Sequence, residues 1–304
     1  MNETNLYFGD TLLSSDEAEV SFETVSINQE PFFKIENYNE MSPFFMTIVS
    51  DVDFWLFISS TGGLTAGRKA SETALFPYYT DDKIHDGNET TGSHTSLIVS
   101  DGKKHSLWKP FSKHNADVYK IKRNLYKNTI GNKIMFEEIN RDLNVTFRYT
   151  WKTSNQYGFI KTSQLINHSK GPLSVRLLDG IRNIMPYGVE QLSQAISSTL
   201  VDGYKRCELN EDHGLGIFTL SSIISDQAEP SESLAANAVF QVGLKPLHVL
   251  LSSKQLDHFR FGGSLETETE VRGVRGAYFV HAELRLEAAQ EVSWYQAADV
   301  HQDH

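Results

Sequence analysis

Hydrophobic and polar residues alternate with a period of two over much of the chain, the pattern of antiparallel strands covered on one side. In the segment 142–152, Leu143 and every second residue after it are apolar, and the residues between them are polar. The segment 278–287 repeats this alternation, with Tyr278 and Leu286 on one face. The stretch Phe54–Ile58 is instead apolar throughout, which predicts a strand buried on both faces with Trp55 in the core.

Short strand candidates recur along the whole chain, separated by turn residues such as those of the segment 167–172. So many short strands in one chain predict an all-β, mainly antiparallel protein built as a large two-sheet sandwich. The further candidates lie near Thr95–Val99, His105–Pro110, Val118–Leu125, Lys133–Ile139, Leu215–Ile224, Val239–Leu244 and Val292–Ala297.

One segment has helical spacing instead. Apolar residues recur there at intervals of three and four, between Pro186 and Gly203, and the pattern predicts a single amphipathic helix at about 188–202. We expect this helix to lie over one sheet or across an edge. The apolar positions are Val189, Leu192, Ile196 and Leu200. With no repeat and no linker in the sequence, residues 1–304 are predicted to form one domain.

Charge narrows the classes of partner. The chain of 304 residues has a net charge of −11, which disfavours nucleic acid because phosphate backbones bind basic surfaces. The one small basic cluster is interpreted as the solvated face of a strand. It consists of Lys120, Lys122, Arg123 and Lys127. No apolar run reaches the ~20 residues that span a bilayer, and no secretory signal is recognised, so we expect a cytoplasmic protein without a membrane partner.

Residues for metal or thiol chemistry are few. Cys207 is the only cysteine, so neither an internal disulfide nor a cysteine-based zinc site is expected. The acidic and histidine residues of the C-terminal segment are interpreted as a solvated tail, and no metal or other cofactor is predicted. These residues are Asp299, His301, Asp303 and His304.

The segment Thr61–Asp82 carries the strongest signal for a ligand site. Gly62 and Gly63 suit a tight turn after the apolar strand, and the loop that follows combines aromatic with charged residues. Aromatic faces pack against sugar C–H groups, and planar charged groups bond paired hydroxyls, so a carbohydrate site is predicted here. Its candidate residues are Arg68, Glu72, Tyr78, Tyr79, Asp81 and Asp82. The alternative is that Phe76 and Tyr78 pack under the loop while Arg68 pairs with Glu72.

Three sequence blocks resemble the N-terminal domain of family 94 glycoside phosphorylases, the cellobiose phosphorylase-like enzymes. The first is STGG followed by Arg68 and LFPYYTDD. The second is NIMPYG at 183–188, with the following helix and LVDGYKR at 200–206. The third is RGAYFV at 275–280, leading to ADVHQDH at 298–304. The resemblance covers essentially the whole chain.

The resemblance implies a β-supersandwich of the galactose-mutarotase type, ending at the junction with a helical linker and an (α/α)6 catalytic barrel. Members of that family phosphorolyse β-glucosides such as cellobiose with inversion, using inorganic phosphate as co-substrate. Because the family's catalytic residues lie in the barrel, the resemblance implies no catalytic residue in this chain. It implies a carbohydrate-associated domain that contributes to homodimer assembly and active-site access.

Two other functions remain open. One is a free-standing carbohydrate-binding module for a β-linked gluco-oligosaccharide. The other is an aldose mutarotase-like epimerase, which needs a histidine acid and a carboxylate base that converge on one face. His281 and Glu283 share a strand face and are the pair considered for that chemistry.

Overall fold

Most of the chain pairs into antiparallel strands in the computed structural model, which describes residues 6–8, 11–13, 18–113, 118–222, 224 and 235–303. In chain order the first half contains the strands β1 (Leu6–Phe8), β2 (Thr11–Leu13), β3 (Ser21–Ile27), β4 (Glu30–Glu36), β5 (Phe45–Ile48), β6 (Phe54–Ser59), β7 (Leu64–Arg68), β8 (Ala74–Phe76), β9 (Gly92–Ser100), β10 (His105–Trp108), β11 (Ile121–Asn128) and β12 (Lys133–Asn140). The second half contains β13 (Val145–Ser154), β14 (Gly158–Asn167), β15 (Leu173–Ile184), β16 (Lys205–Asn210), β17 (Leu215–Leu220), β18 (Ala236–Val242), β19 (His248–Leu250), β20 (Glu270–Arg272), β21 (Gly276–Leu286) and β22 (Glu291–Gln302). The α-helices are α1 (Asp81–Asp86), α2 (Gln191–Ile196), α3 (Ser198–Tyr204) and α4 (Leu256–Arg260).

The strands form one large sheet and two smaller ones, besides the β1–β2 ribbon. The large sheet has 11 strands in the order β20-β16-β17-β18-β22-β14-β13-β12-β11-β4-β3. A 5-stranded sheet has the order β10-β9-β15-β21-β19, and a 4-stranded sheet has the order β5-β6-β7-β8. Because every pairing between the described strands is antiparallel, the predicted all-β antiparallel class is confirmed.

The two smaller sheets cover one face of the large sheet, so the fold is a two-layer sandwich. Phe54 of β6 meets Phe159 of β14 edge to face at 5.0 Å, which shows that the 4-stranded sheet packs on the large sheet. The small sheets adjoin each other where the Met185 N–H donates to the Leu75 carbonyl at 2.9 Å. The inner faces of all three sheets contribute to one hydrophobic core.

An ion pair inside this core joins the 5-stranded sheet to the large one. Lys161 on β14 and Asp179 on β15 are fully buried, with Nζ and Oδ1 2.6 Å apart. Asp179 also accepts hydrogen bonds from Thr95 at 2.6 Å, Ser163 at 3.1 Å and the Trp294 indole at 2.7 Å. Because both carboxylate oxygens are bonded, the buried charge is compensated without a ligand.

The strands near the predicted site differ from the sequence expectation. Phe57 of β6 is 40% exposed and Trp55 is only half-buried, so Phe54–Ile58 is not buried on both faces and Trp55 is not in the core. In β21 the alternation predicts that Phe279 and His281, on the face away from the core, are exposed. Both are buried instead. The reason is that α4 and its flanking loop cover the outer face of the 5-stranded sheet there.

The predicted single helix at 188–202 is two short helices, α2 and α3, that meet at Ser197. Three of the four residues of its apolar stripe do not face the core: Leu192, Ile196 and Leu200 are more than half exposed, whereas Val189 is buried. The buried residue of α2 is Gln194, whose side-chain amide bonds three backbone groups. These three hydrogen bonds orient α2 with Gln194 toward the protein interior, and they stabilise this orientation more than burial of the apolar residues would stabilise the alternative.

The basic cluster of β11 and its surroundings is not uniformly solvated. Arg123 faces inward and bonds Glu138 at 2.7 Å, with both side chains buried. Glu138 also accepts hydrogen bonds from the Trp108 indole and the Phe111 N–H, so it ties the loop after β10 to the sheet. Among the residues that the structure describes, no helix is long and apolar enough to cross a membrane.

Candidate functional site

The outer face of the 4-stranded sheet presents aromatic side chains because glycine occupies a neighbouring position. Trp55 of β6 lies directly opposite Gly67 of β7. A Cβ atom at Gly67 would lie 2.4 Å from the Trp55 ring, so only glycine lets the indole pack against the strand. Tyr78 then meets Trp55 edge to face, with ring centroids 5.4 Å apart. The two rings together form a semi-exposed aromatic surface.

A cavity of about 520 Å³ opens beside this surface, and we call it the aromatic cavity. Its volume is in the range of small-ligand sites. Four ring side chains and several polar groups line it. The lining residues are Phe45, Phe57, Thr65, Tyr78, Tyr79, Thr80, Asp81, Lys83, Ile84, Gln191 and Ala195.

Three of the six predicted site residues line this cavity, namely Tyr78, Tyr79 and Asp81. Asp82 follows Asp81 in the first turn of α1 but is not part of the lining. Its carboxylate accepts a hydrogen bond from Thr80, which lowers the pKa of Asp82. Glu72 is exposed in the loop before β8 and also lies outside the lining.

The walls of the aromatic cavity are held by Gln194. The Gln194 side-chain oxygen accepts a hydrogen bond from the Tyr78 N–H at 2.9 Å. Its amide nitrogen donates to the Ser71 carbonyl at 2.8 Å and to the Val189 carbonyl at 2.7 Å. Helix α2 and the segment 71–78 therefore share one buried polar anchor.

Tyr79 and Lys83 form the polar side of the cavity. The Lys83 ammonium lies over the Tyr79 ring, 5.4 Å from its centroid. Burial raises the pKa of Tyr79, and the Asn183 side chain is hydrogen-bonded to its hydroxyl.

Arg68 lies elsewhere, and it does not pair with Glu72. Its Nε is 3.1 Å from an Asp53 carboxylate oxygen, and its Nη1 is 3.6 Å from Asp299 on β22. The guanidinium also lies over the Phe54 ring at 4.6 Å. Arg68 thus connects the 4-stranded sheet to the large sheet. The packing alternative for Phe76 fits the structure, since Phe76 is fully buried, whereas Tyr78 is 39% exposed.

The sequence reasoning missed several lining residues. The apolar run predicts a buried Phe57. Because Phe57 and Trp55 are two residues apart in β6, they share one face of the strand, and that spacing was the available signal. Gln191 and Ala195 lie on a helix more than a hundred positions further along the chain. Only the tertiary fold brings them to the cavity.

The groups considered for other chemistry do not assemble into a site. His281 is 4% exposed under α4, with both ring nitrogens unpartnered among the described residues, while Glu283 is exposed. Burial lowers the pKa of His281 to about 4. The His301 ring stacks on Tyr187 at 4.4 Å, and His304 lies outside the described residues. Within the described part of the chain, no cluster of three or more His, Cys, Asp or Glu side chains is arranged to hold a metal.

No protein-family model matches the sequence, and no curated protein matches it. Sixty-five chains of solved structures do match. A polysaccharide lyase is 10% identical over 86% of this chain and 33% of its own, with a TM-score of 0.43. This chain thus spans about a third of the length of that lyase.

Two further solved structures match over most of their own length. A putative aldose 1-epimerase from Klebsiella pneumoniae is 8% identical over 93% of this chain and 88% of its own, with a TM-score of 0.39. A galactose mutarotase-like protein from Clostridium acetobutylicum is 8% identical over 94% and 99%, also with a TM-score of 0.39. At such low values, the fold assignment rests on the strand pairings of this chain.

Proposed function

We propose that this chain is a non-catalytic carbohydrate-binding β-sandwich domain, and that its ligand is a β-linked gluco-oligosaccharide held in the aromatic cavity. One observation carries the proposal. The aromatic side chains of Phe57, Tyr78 and Tyr79 line the cavity, together with the charged residues Asp81 and Lys83.

A sugar has two kinds of surface, and the aromatic cavity offers a partner for each. The C–H groups of a pyranose ring form an apolar patch that packs on aromatic faces, while its hydroxyls need donors and acceptors. The carboxylate of Asp81 accepts hydrogen bonds, and the ammonium of Lys83 donates them.

The composition of the cavity supports binding rather than glycosidic cleavage. Acid–base cleavage of a glycosidic bond uses two carboxyl groups on either side of the bond. Asp81 is the only carboxylate among the residues that line the aromatic cavity. For epimerase chemistry, the buried and neutral His281 does not reach a sugar in solvent unless α4 moves. We therefore assign this chain a binding role.

The proposal also includes what the sequence resemblance implies about a larger protein. The domain would accompany the catalytic barrel of a cytoplasmic, homodimeric glycoside phosphorylase-like enzyme. Such an enzyme transfers glucose from a β-glucoside to inorganic phosphate with inversion. The domain would then contribute assembly and access to the active site, and phosphate would bind to the barrel.

Calorimetric titration with cello-oligosaccharides tests the binding role. We expect the wild type to bind and Tyr78→Ala to bind about tenfold more weakly, since a ring face worth about 1.5 kcal/mol is lost. Phe261→Ala is the matched control, because Phe261 is 85% exposed after α4 and does not line the cavity. Equal affinity of Tyr78→Ala and wild type would rule out the cavity as the sugar site.

A second assay tests the absence of catalysis. The chain is incubated with cellobiose and inorganic phosphate, and the free phosphate is measured over time. We expect no consumption above that of a heat-denatured sample. Steady consumption of phosphate with release of glucose would contradict the non-catalytic assignment.

A further inference from the structure

A small cavity lies between the 5-stranded sheet and the large sheet, where β9 begins and β15 ends. Its volume is about 30 Å³, and its lining includes Arg182 of β15, Tyr149 of β13, and Glu89 and Lys109 from segments next to β9 and β10. We call it the cationic cavity. Because a single water molecule needs about 10–15 Å³ of such space, the cavity admits one small ion and is too small for a sugar.

The cations of the cationic cavity outnumber its carboxylates. Lys109 Nζ lies 2.5 Å from Glu89 Oε2, and Arg182 Nη2 lies 3.8 Å from the same oxygen. Among the described residues that line the cavity there is no other carboxylate, so one positive charge remains uncompensated there. This local excess contrasts with the net charge of −11 for the whole chain.

Arg182 is the less satisfied of the two cations. The residue is only 8% exposed, and a guanidinium carries five N–H donors. Within the described residues this guanidinium makes one hydrogen bond, from Nη2 to the Asn88 carbonyl at 3.3 Å. Burial lowers the pKa of Arg182 to about 10, because Glu89 offsets only part of the cost of burying the charge. A buried cation with so few partners favours a further negative charge beside it.

A third donor reaches the cavity from the large sheet. Tyr149 is 3% exposed, and its hydroxyl lies close to Gly62 of the same lining, since a Cβ atom at Gly62 would be 3.0 Å from it. The hydroxyl makes no hydrogen bond with any residue that the structure describes. Burial raises the pKa of Tyr149 well above its ordinary value, so the group stays protonated and can donate a hydrogen bond.

His94 of β9 also lines the cavity, and it is neutral beside these cations. Burial lowers the pKa of His94 well below its ordinary value, and the nearby charges of Arg182 and Lys109 lower it further. His94 therefore adds no third positive charge, and the excess in the lining stays at one.

We propose that the cationic cavity binds one small inorganic anion of the size of chloride. Such an anion accepts hydrogen bonds from Arg182, Lys109 and Tyr149, and it neutralises the excess charge. A water molecule would fit the space but brings no charge, so it would leave the buried cation uncompensated. The site is separate from the aromatic cavity and independent of the proposed carbohydrate function.

Thermal unfolding in chloride and in gluconate tests for the anion. Sodium gluconate is replaced by sodium chloride at constant ionic strength, because gluconate is too large for the cavity. A ligand that binds only the folded chain raises the unfolding midpoint, and we expect a saturable rise of about 2 °C at chloride about ten times above its dissociation constant. A midpoint that does not rise in chloride would overturn the proposal.

Variants of the two cations locate the effect. Lys109→Met should abolish the rise, since it leaves one cation for one carboxylate, and Arg182→Met should do the same. Lys133→Met is the matched control, because Lys133 also lies 2.5 Å from a glutamate, Glu30, and does not line the cavity. A rise in Lys109→Met as large as in the control would mean that chloride binds elsewhere, and it would overturn the proposal.

Diffraction on the wild type covers the case in which neither cation variant folds. Crystals soaked in sodium bromide should show an anomalous peak in the cationic cavity, at hydrogen-bond distance from the Arg182 and Lys109 nitrogens. Peaks confined to the protein surface would indicate an adventitious ion only and would overturn the proposal.

Discussion

The Gln194 side-chain oxygen accepts a hydrogen bond from the Tyr78 N–H at 2.9 Å, joining two segments that are far apart in sequence. The same amide bonds the Ser71 and Val189 carbonyls, so one buried side chain positions both α2 and the aromatic wall of the cavity. The exposed apolar stripe of α2 is a consequence of this anchor.

Replacing Gln194 with Leu should therefore affect both stability and the site. Three backbone groups, all buried or partly buried, lose their partner, so we expect the free energy of unfolding to fall by about 2 kcal/mol. Urea unfolding measures the change, with the exposed Gln156→Leu as control. A loss below about 0.5 kcal/mol, equal to that of the control, would show that Gln194 is not an anchor.

The buried pair of Lys161 and Asp179 gives a larger effect. Lys161→Met leaves the Asp179 carboxylate buried without its counter-ion, and we expect a loss of about 3–5 kcal/mol in the free energy of unfolding. The double variant Lys161→Met/Asp179→Asn should recover part of this loss, because the uncompensated charge is gone. Arg260→Met, at an exposed pair with Asp257, is the control and should cost less than about 1 kcal/mol.

His281 makes the stability depend on pH. Burial lowers its pKa to about 4 in the folded chain from the ordinary value of 6.5, so the unfolded chain binds the proton more readily. With respect to His281, the folded chain therefore has its full stability above the pKa of the unfolded chain, and it loses stability as the pH falls through that value. Between about pH 7.5 and about pH 5, His281 should cost about 2 kcal/mol of unfolding free energy.

The variant His281→Phe should flatten this dependence by that amount, and urea unfolding at the two pH values measures it. His94 is also buried with its pKa lowered, so part of the dependence should persist in the variant. His258→Phe, an exposed position on α4, should leave the dependence as in the wild type. An unchanged slope in His281→Phe would contradict the assignment.

The variant Arg68→Gln distinguishes a structural role of Arg68 from a sugar-binding role. Arg68→Gln removes the ion pairs with Asp53 and Asp299, and we expect a loss of about 1 kcal/mol in the free energy of unfolding. Calorimetry should find its affinity for cello-oligosaccharides within about twofold of the wild type. A tenfold loss of affinity in a stable Arg68→Gln variant would show that Arg68 takes part in sugar binding.

The fold class followed from the sequence because burial on one side leaves a period of two. In β13 the residues Val145, Phe147, Tyr149 and Trp151 are buried as the alternation predicts. The helix prediction went wrong because helical spacing shows only which residues share a face, not which face is buried. The buried face is determined by the hydrogen bonds of Gln194, and two of these join residues far away in the sequence, which a local pattern does not reveal.

The site was predictable only where its residues are contiguous. Tyr78, Tyr79 and Asp81 lie in one short segment of the sequence, and their aromatic and charged side chains marked them as candidates. Gln191 and Ala195, in contrast, line the cavity from α2. Nothing in their residue types marks them in the sequence, and only the tertiary contact between α2 and Tyr78 brings them to the cavity.

Trp55 offers the most direct test of the aromatic cavity. Of the four tryptophans, Trp108, Trp151 and Trp294 are 1% exposed in the core, whereas Trp55 is half-buried against Tyr78. Fluorescence titration with cello-oligosaccharides should therefore give a saturable change in the wild type and none in Trp55→Phe. A wild-type emission that stays constant, while calorimetry detects sugar binding, would contradict a sugar site in the aromatic cavity.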